Sequence, residues 1–361
     1  MNRSHLPLLL ALCLVLPALG VSAQQTNADK LRDLDTNNDG AISKAEAGDK
    51  LWQRIARLDT NKDGKVSGQE FGERQKPVND NAANNPGKVS PPKGFDDQHT
   101  YKTVDDYGLS LFVYKPEGHT EHAKLPAVVC FHGGGWKGGT PGAFAMQCRH
   151  LADRGMVAVT VQYRLTSKFP ISVEDCVEDA KSAMRWVRSN AKTLGIDPDR
   201  IASAGGSAGG HLAASVKLSD VKDAPGEDKT ISHQPNAMVL FNPVMAFAPH
   251  PAFSDEVNKN LRTGLASRAK ADPEKISPIH FADKKQPPCI MFFGTEDRLL
   301  SLAKAFKGES GKAGNDCKVY TYADQGHGFF NYRNGKNPYY HKTLAEMDGF
   351  FVRLGWLEKA E

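Results

Sequence analysis

The sequence predicts an α/β protein, a mostly parallel doubly wound sheet preceded by a small α-helical module, and three observations carry that expectation. From about Phe95 onward, short apolar and β-branched runs alternate with helical stretches such as Val173 to Ala191. Gly205-Gly206-Ser207-Ala208-Gly209 stands between the strand-like run Arg200 to Ala204 and an Ala-rich run from Leu212 that reads as helix. Upstream, one twelve-residue loop pattern rich in Asp and Asn occurs twice before residue 76.

The chain of 361 residues opens with a segment set apart from any core. Met1 to Ala23 carries Arg3 in a short basic region, an apolar run from Leu6 to Leu19, and the small residues Val21-Ser22-Ala23 at its end. This is the pattern of a secretory signal peptide, and the apolar run is too short for a membrane span. A mature chain beginning near Gln24, located outside the cytoplasm and without a membrane span, is expected. The net charge of +4 falls by one when Arg3 is removed. Charge so small and dispersed argues against a nucleic-acid partner. Five cysteines remain, Cys130, Cys148, Cys176, Cys289 and Cys317, so at least one is unpaired in a monomer. Cys130 and Cys289 lie in apolar strand-like runs suited to buried thiols, which leaves room for one disulfide among the other three.

The repeated loops run from Asp35 to Glu46 and from Asp59 to Glu70. Ca²⁺ takes six to eight hard oxygen ligands, and the spacing wraps them around one point. The ligand positions are Asp35, Asn37, Asp39, Ala41, Ser43 and Glu46 in the first loop, and Asp59, Asn61, Asp63, Lys65, Ser67 and Glu70 in the second. Ala41 and Lys65 offer backbone carbonyls, and Gly40 and Gly64 make the sharp turn. Residues 24–76 therefore resemble a pair of EF-hands. Because the loops start only 24 residues apart, the segment Lys44 to Leu58 must serve as a helix shared by both. Such an arrangement suits structural calcium or protein docking better than a sensor's opening groove. Residues 77–94 follow as a polar linker rich in Asn, Pro and Lys.

Residues 95–361 form the expected catalytic domain. Tyr101 to Val104 and Leu109 to Tyr114 suggest an opening antiparallel pair. Pro126 to Phe131, Val157 to Tyr163, Arg200 to Ala204, Ala237 to Phe241, Pro288 to Phe293 and Lys318 to Tyr322 suggest the sheet strands that follow. Ligands of such sheets sit at the carboxyl ends of the strands, where the reactive residue types of this chain occur. In Gly-x-Ser-x-Gly the serine occupies a strained turn, and the glycines remove side chains that would collide as strand and helix close together. That bend exposes the Ser207 hydroxyl and leaves the Ala208 N–H at a helix start, where an oxyanion is stabilised. His132-Gly133-Gly134-Gly135-Trp136 follows a strand, and three glycines let backbone N–H groups approach a substrate. A phosphate loop is the rival reading, but the Walker Lys-Ser/Thr is missing. A serine hydroxyl needs a base, and an imidazole base needs a carboxylate to fix its tautomer. Asp297 and His327 supply them in the chain order Ser, Asp, His. Glu296 is a lesser candidate for the acid, and His132 and His211 read as structural. Trp136 reads as a pocket wall or, nearly as well, as core. The segment Met245 to Ser277, polar and Pro-containing, reads as a cover over the cleft or as an insertion.

Residues 95–358 resemble an α/β-hydrolase of the group that includes hormone-sensitive-lipase-like esterases and bacterial feruloyl and acetyl xylan esterases. The resemblance rests on His132-Gly-Gly-Gly, Gln162-Tyr163-Arg164-Leu165, the helix Glu174 to Asn190, Gly-Gly-Ser207-Ala-Gly, Asp297 and His327. It implies Ser207 as nucleophile, His327 as base, Asp297 as acid, and the N–H groups of Gly134, Gly135 and Ala208 as oxyanion donors. Lipase-like members follow Tyr-Arg-Leu with Ala-Pro-Glu and carry an N-terminal helical cap. Here Thr166-Ser167-Lys168 stands instead and the cap is missing, which turns the expectation toward open-cleft carbohydrate esterases. The expected activity is that of a secreted serine esterase acting on short-chain or aromatic acyl esters of carbohydrate, small-molecule or oligosaccharide. Its calcium is confined to the EF-hand pair and no cofactor serves catalysis. The alternatives are a peptidase or amidase on the same fold, and a calcium-dependent binding protein with a vestigial hydrolase domain.

Overall fold

The computed structural model describes residues 36, 37, 39, 41–56, 59, 63–67 and 89–359. The expected signal peptide, residues 77–88 of the linker, and the ligand positions Asp35, Asn61 and Glu70 lie outside them. The chain divides into two compact units, Met1–Asn81 and Ala82–Glu361.

In the first unit, β1 (Ala41–Ser43) pairs antiparallel with β2 (Lys65–Ser67), and Ile42 faces Val66. Both of these side chains are buried, so the two loops share one small apolar contact. α1 (Lys44–Ile55) starts at Ser43, whose hydroxyl accepts the Glu46 N–H while the Glu46 carboxylate accepts the Ser43 N–H at 2.8 Å. The shared helix expected here is present but interrupted, because Gly48 has φ 66° and breaks the helical run.

The second unit is built on an eight-stranded sheet. Its strands are β3 (Asp97–Val104), β4 (Tyr107–Tyr114), β5 (Leu125–Phe131), β6 (Val157–Val161), β7 (Ile196–Gly206), β8 (Ala237–Phe241), β9 (Cys289–Gly294) and β10 (Cys317–Tyr322). They lie in the order β3-β4-β6-β5-β7-β8-β9-β10. β4 runs antiparallel to both neighbours, and all pairs from β6 to β10 are parallel. Helices cover both faces, which explains why the central strands read as unbroken apolar runs. Along β5, Ala127, Val129 and Phe131 enter one core with α3 (Val173–Ser189), whereas Val128 and Cys130 enter the opposite core. α2 (Ala145–Asp153) and α8 (Pro338–Arg353) cover that second face. α4 (Ala208–Ser215) begins directly after Ser207, and β7 and α4 form the elbow. α5 (Asp255–Thr263) and α6 (Leu265–Ala269) follow β8, and α7 (Leu300–Lys312) precedes β10.

Two expectations are corrected. The segment from Met245 begins as core: Met245, Ala246, Phe247 and Ala248 are buried, and the N–H groups of Phe247 and Ala248 donate to the Ser277 hydroxyl at 2.7 and 3.0 Å. All five described cysteines are free thiols, so the bridge allowed among Cys148, Cys176 and Cys317 is not formed. Cys148 and Cys176 are buried on different helices, and Cys317 sits beside Cys289 in the β9–β10 register.

Two glycines test the packing argument. A Cβ on Gly209 would lie 2.0 Å from the Phe131 carbonyl oxygen, whereas one on Gly308 in α7 meets nothing within 4 Å. Gly209→Ala is expected to cost at least about 3 kcal/mol, the upper end for overpacking, or to prevent folding. Gly308→Ala is expected to gain roughly 0.5–1 kcal/mol by helix propensity. Urea denaturation of both variants checks the contrast; equal effects would contradict it.

Candidate active site

Ser207 sits at φ 55° and ψ −118°, a conformation costly for a residue with a Cβ. Its N–H donates to the Phe241 carbonyl at 2.7 Å, which anchors the turn to the end of β8. The glycine spacing has a direct steric cause. A Cβ on Gly205 would lie 2.3 Å from the Gly209 oxygen, and the Gly209 contact with Phe131 is tighter still. Gly133 also lies against the elbow, where a Cβ would stand 3.0 Å from the Gly206 oxygen and 3.4 Å from the Ser207 Cβ.

His327 bridges the two other partners. Its Nε2 lies 2.8 Å from Ser207 Oγ, and its Nδ1 lies 2.8 Å from Asp297 Oδ2. With Nδ1–H donated to the carboxylate, Nε2 keeps its lone pair for the serine proton. The Asp297 side chain is fully buried, and its second oxygen accepts the Leu299 N–H at 2.9 Å. Both carboxylate oxygens are therefore held, and the imidazole is aimed. Glu296 is exposed and takes no part in this relay; its N–H donates to the Gln325 carbonyl at 3.0 Å. That bond joins the loops bearing Asp297 and His327, together with Thr295 N–H to Tyr322 O at 2.9 Å and Asp324 N–H to Thr295 Oγ1 at 2.9 Å. Thr295 and Gln325 escape a motif search because their bonding groups are a backbone oxygen and a lone hydroxyl.

The glycine loop after β5 is braced from behind. The Tyr163 hydroxyl donates to the His132 carbonyl at 2.8 Å and the two rings stack 4.3 Å apart. Thr166 N–H donates to the Trp136 carbonyl at 2.8 Å, and Ser167 Oγ donates to the Lys137 carbonyl. Arg164 fixes this brace through Asp179, a fully buried carboxylate whose oxygens both accept from the guanidinium at 2.8 Å. Burial pushes His132 down to about 4, with its bond to the Gly133 carbonyl opposing the shift. His211, bonded to the Ile276 carbonyl at 2.8 Å, is pushed down to about 4 by burial as well. Both rings are neutral near pH 7 and occupy structural positions. Trp136 is core, 3% exposed and packed against His211 and Phe247. The N–H groups of Gly134 and Gly135 donate to no described protein acceptor, and Ala208 N–H opens α4. The arrangement offers an activated hydroxyl, a base with a fixed tautomer, and unclaimed N–H donors for a developing negative charge.

In the first unit the described calcium-loop residues curl their oxygens onto the loop backbone. Asn37 Oδ1 accepts from Asp39 N–H at 2.9 Å, and Asp39 Oδ1 accepts from Ala41 N–H at 3.0 Å. Asp59 accepts from Asp63 and Gly64 N–H at 3.1 and 2.9 Å, and Asp63 accepts from Lys65 N–H at 2.9 Å. Glu46 reaches back to the N–H groups of Thr36 and Asn37 at 3.1 and 3.2 Å. The Ser43 hydroxyl and N–H, with the Asn37 N–H and the Thr36 hydroxyl, hold Glu46 down to about 2. The Lys65 ammonium lies 2.7 Å from Asp39 Oδ2, so a cation sits against an oxygen at one of the expected ligand positions of the first loop. Ser43 and Ser67 lie on the paired strands. This all-oxygen donor set fits a hard divalent ion. Among the described residues no group of three or more His, Cys, Asp or Glu side chains gathers to hold a metal, Asp35 and Glu70 lying outside them.

The BD-FAE family model matches residues 111–307, more than half of the chain, and includes Ser207 and Asp297. The chain belongs to the BD-FAE family. Esterase 2 of the planctomycete Thermogutta terrifontis, a solved relative, is 41% identical to this BD-FAE chain. Its propionate-bound structure superposes with a TM-score of 0.69 over 75% of this chain and 98% of that one. The same enzyme phosphonylated by sarin gives 0.71, covering 75% and 99%. Carboxylesterase NlhH of Mycobacterium tuberculosis is 43% identical over 91 residues, 25% of this chain and 28% of that protein. Endo-1,4-beta-xylanase B of Butyrivibrio fibrisolvens is 28% identical over 228 residues, 58% of this chain and 33% of that protein. The chain thus spans about a third of the length of these curated relatives. An EF-hand model matches residues 28–46 and 54–73. The BD-FAE unit is an α/β-hydrolase, a serine hydrolase acting on carboxylic esters. Among the described residues no helix is long and apolar enough to cross a membrane.

The two neighbouring acids separate cleanly by experiment. Asp297→Asn is expected to lower kcat on p-nitrophenyl acetate by about 10³–10⁴, because the imidazole loses its tautomer and its counter-charge. Glu296→Gln is expected to stay within about twofold. The opposite ranking would give the acid's place to Glu296.

Proposed function

We propose that this protein is a secreted serine esterase that hydrolyses short-chain or aromatic acyl esters carried on carbohydrate. The observation that carries the reading is the unbroken chain from Asp297 through His327 to Ser207, two contacts of 2.8 Å each. In this mechanism Ser207 Oγ attacks the ester carbonyl while His327 Nε2 takes its proton. The N–H groups of Gly134, Gly135 and Ala208 receive the oxyanion, and Asp297 balances the imidazolium. The protonated His327 then gives its proton to the departing alkoxide. Water, activated by the same nitrogen, attacks the acyl-enzyme and frees the acid and Ser207.

Propionate and butyrate, the ligands of the Thermogutta esterase, favour a short acyl group. The similarity to a xylanase chain favours an acylated polysaccharide as the alcohol partner. The domain order we propose is a signal peptide at 1–23, an EF-hand pair at 24–76, a linker at 77–94 and the catalytic domain at 95–361. In the EF-hand pair the side chains of Asp35, Asn37, Asp39, Ser43 and Glu46, with the Ala41 carbonyl, would hold one Ca²⁺. Asp59, Asn61, Asp63, Ser67 and Glu70, with the Lys65 carbonyl, would hold the second. The metal there supplies local order, and protein docking through this pair belongs to the same proposal.

The test is a series of p-nitrophenyl esters from acetate to decanoate, beside acetylated xylan and methyl ferulate. Activity is expected on acetate through butyrate and on the acylated sugar, with only a residual rate in Ser207→Ala. Chelation is expected to lower the melting temperature of the N-terminal unit while changing kcat less than twofold. A preference for decanoate, or turnover surviving in a pure Ser207→Ala preparation, would overturn the reading.

A further inference from the structure

A cavity of about 300 Å³ opens between the two helices that follow β8 and the start of α7. α5 contributes Val257 and Leu261 to its walls, α6 contributes Leu265, and the turn into α7 contributes Leu299. Its rim carries two exposed cations, Arg268 from α6 and Arg298 from the turn after Asp297. Neither guanidinium has an acidic partner among the described residues. The acid closest in sequence, Asp297, is buried, with both of its oxygens already bonded to Leu299 N–H and to His327.

The chemistry of this lining is selective. The walls are mainly apolar, with Asn260 and Ser301 as polar members, and two unpaired arginines on the rim favour an anionic guest over a neutral one and disfavour a cationic one. The planar guanidinium fork matches a carboxylate through paired hydrogen bonds. A volume at the lower end of small-ligand pockets, which run from about 300 to 1,000 Å³, admits one ring or a short branched chain. The cavity also reaches the Asp297 loop, through Arg298 and Leu299. Leu299 lines it, and the Leu299 N–H is the donor that fixes Asp297 Oδ1 at 2.9 Å. A guest pressing on Leu299 therefore acts on the carboxylate that aims His327.

We propose that this cavity binds a small monocarboxylate with an apolar body, held by Arg268 and Arg298, and that its occupancy slows turnover through Leu299 and Asp297. Such a ligand belongs to the class of acid that ester hydrolysis releases; only this identification with the product rests on the esterase reading.

Benzoate is a suitable probe, with benzamide as its uncharged isostere. In the full-length Ser207→Ala protein, calorimetry is expected to detect benzoate and to find benzamide binding at least tenfold weaker. Arg268→Gln and Arg298→Gln, each placed in that background, are expected to weaken benzoate at least tenfold. With the nucleophile intact, benzoate is expected to lower kcat for p-nitrophenyl acetate, and Arg268→Gln to remove that inhibition while leaving the uninhibited rate unchanged. Absence of benzoate binding, equal binding of benzamide, or competitive inhibition indifferent to both arginine variants would overturn the proposal. Because the binding measurement needs no turnover, a protein that binds benzoate through these arginines yet hydrolyses no ester would sink the esterase reading alone.

Discussion

Ser207 can remain at a positive φ only while the strands and helix around it hold the turn closed from three sides. Its N–H is tied to Phe241 at the end of β8, β5 presses its last carbonyls against Gly209, and Gly133 lies over the Gly206 peptide. The last two approaches are possible because a Cβ is missing at Gly209 and Gly133. Strain of this kind, of order 1–3 kcal/mol, persists only where a rigid surrounding over-determines the backbone. Four parallel pairs of strands, from β6 through β5, β7 and β8 to β9, are buried on both faces and provide that rigidity.

The remaining parts of the site depend on the same sheet edge. Asp297 and His327 leave adjacent strands, and the bonds between their loops keep the two side chains in reach of each other. The glycine loop leaves β5 and is held from behind by Tyr163, Thr166 and, through Arg164, the buried Asp179. The pair belongs to a wider network, with Lys102 Nζ 2.8 Å from Asp179 Oδ1 and Glu178 Oε1 3.0 Å from the Arg164 guanidinium, so each buried charge keeps a second counter-charge. The two buried histidines beside the elbow stay neutral because burial disfavours their charged forms, and their rings bond to the Gly133 and Ile276 carbonyls, whereas His327 is the imidazole that reaches Ser207 Oγ.

Much of this was legible from the chain alone, for identifiable reasons. All eight expected strands of the catalytic unit are present, since parallel strands buried on both faces announce themselves as apolar runs. The meeting of Ser207, His327 and Asp297 was legible because each follows a strand, and the glycines at 205 and 209 because backbone contact demands them. Strand ends shifted by a few residues: β7 begins at Ile196, four residues before the apolar run does. The burial of Met245 to Ala248 was not legible, because it depends on Trp136 and Ser277, remote in sequence. Gly133 looked no different from its two neighbours until the elbow packed against it. The contact of Lys65 with Asp39 likewise arises from folding two loops together.

The central claim is that Ser207, aimed by His327 and Asp297, is the one hydroxyl that attacks an acyl or phosphoryl centre. Paraoxon, which phosphorylates the related Thermogutta esterase, tests this directly. The protein should be incubated with it, weighed intact by mass spectrometry and digested to locate the label. We predict one phosphoryl group per chain, on the peptide containing Ser207, with activity lost in step and no label on Ser207→Ala. A label on another residue, or an unlabelled protein that continues to hydrolyse esters, would contradict the account.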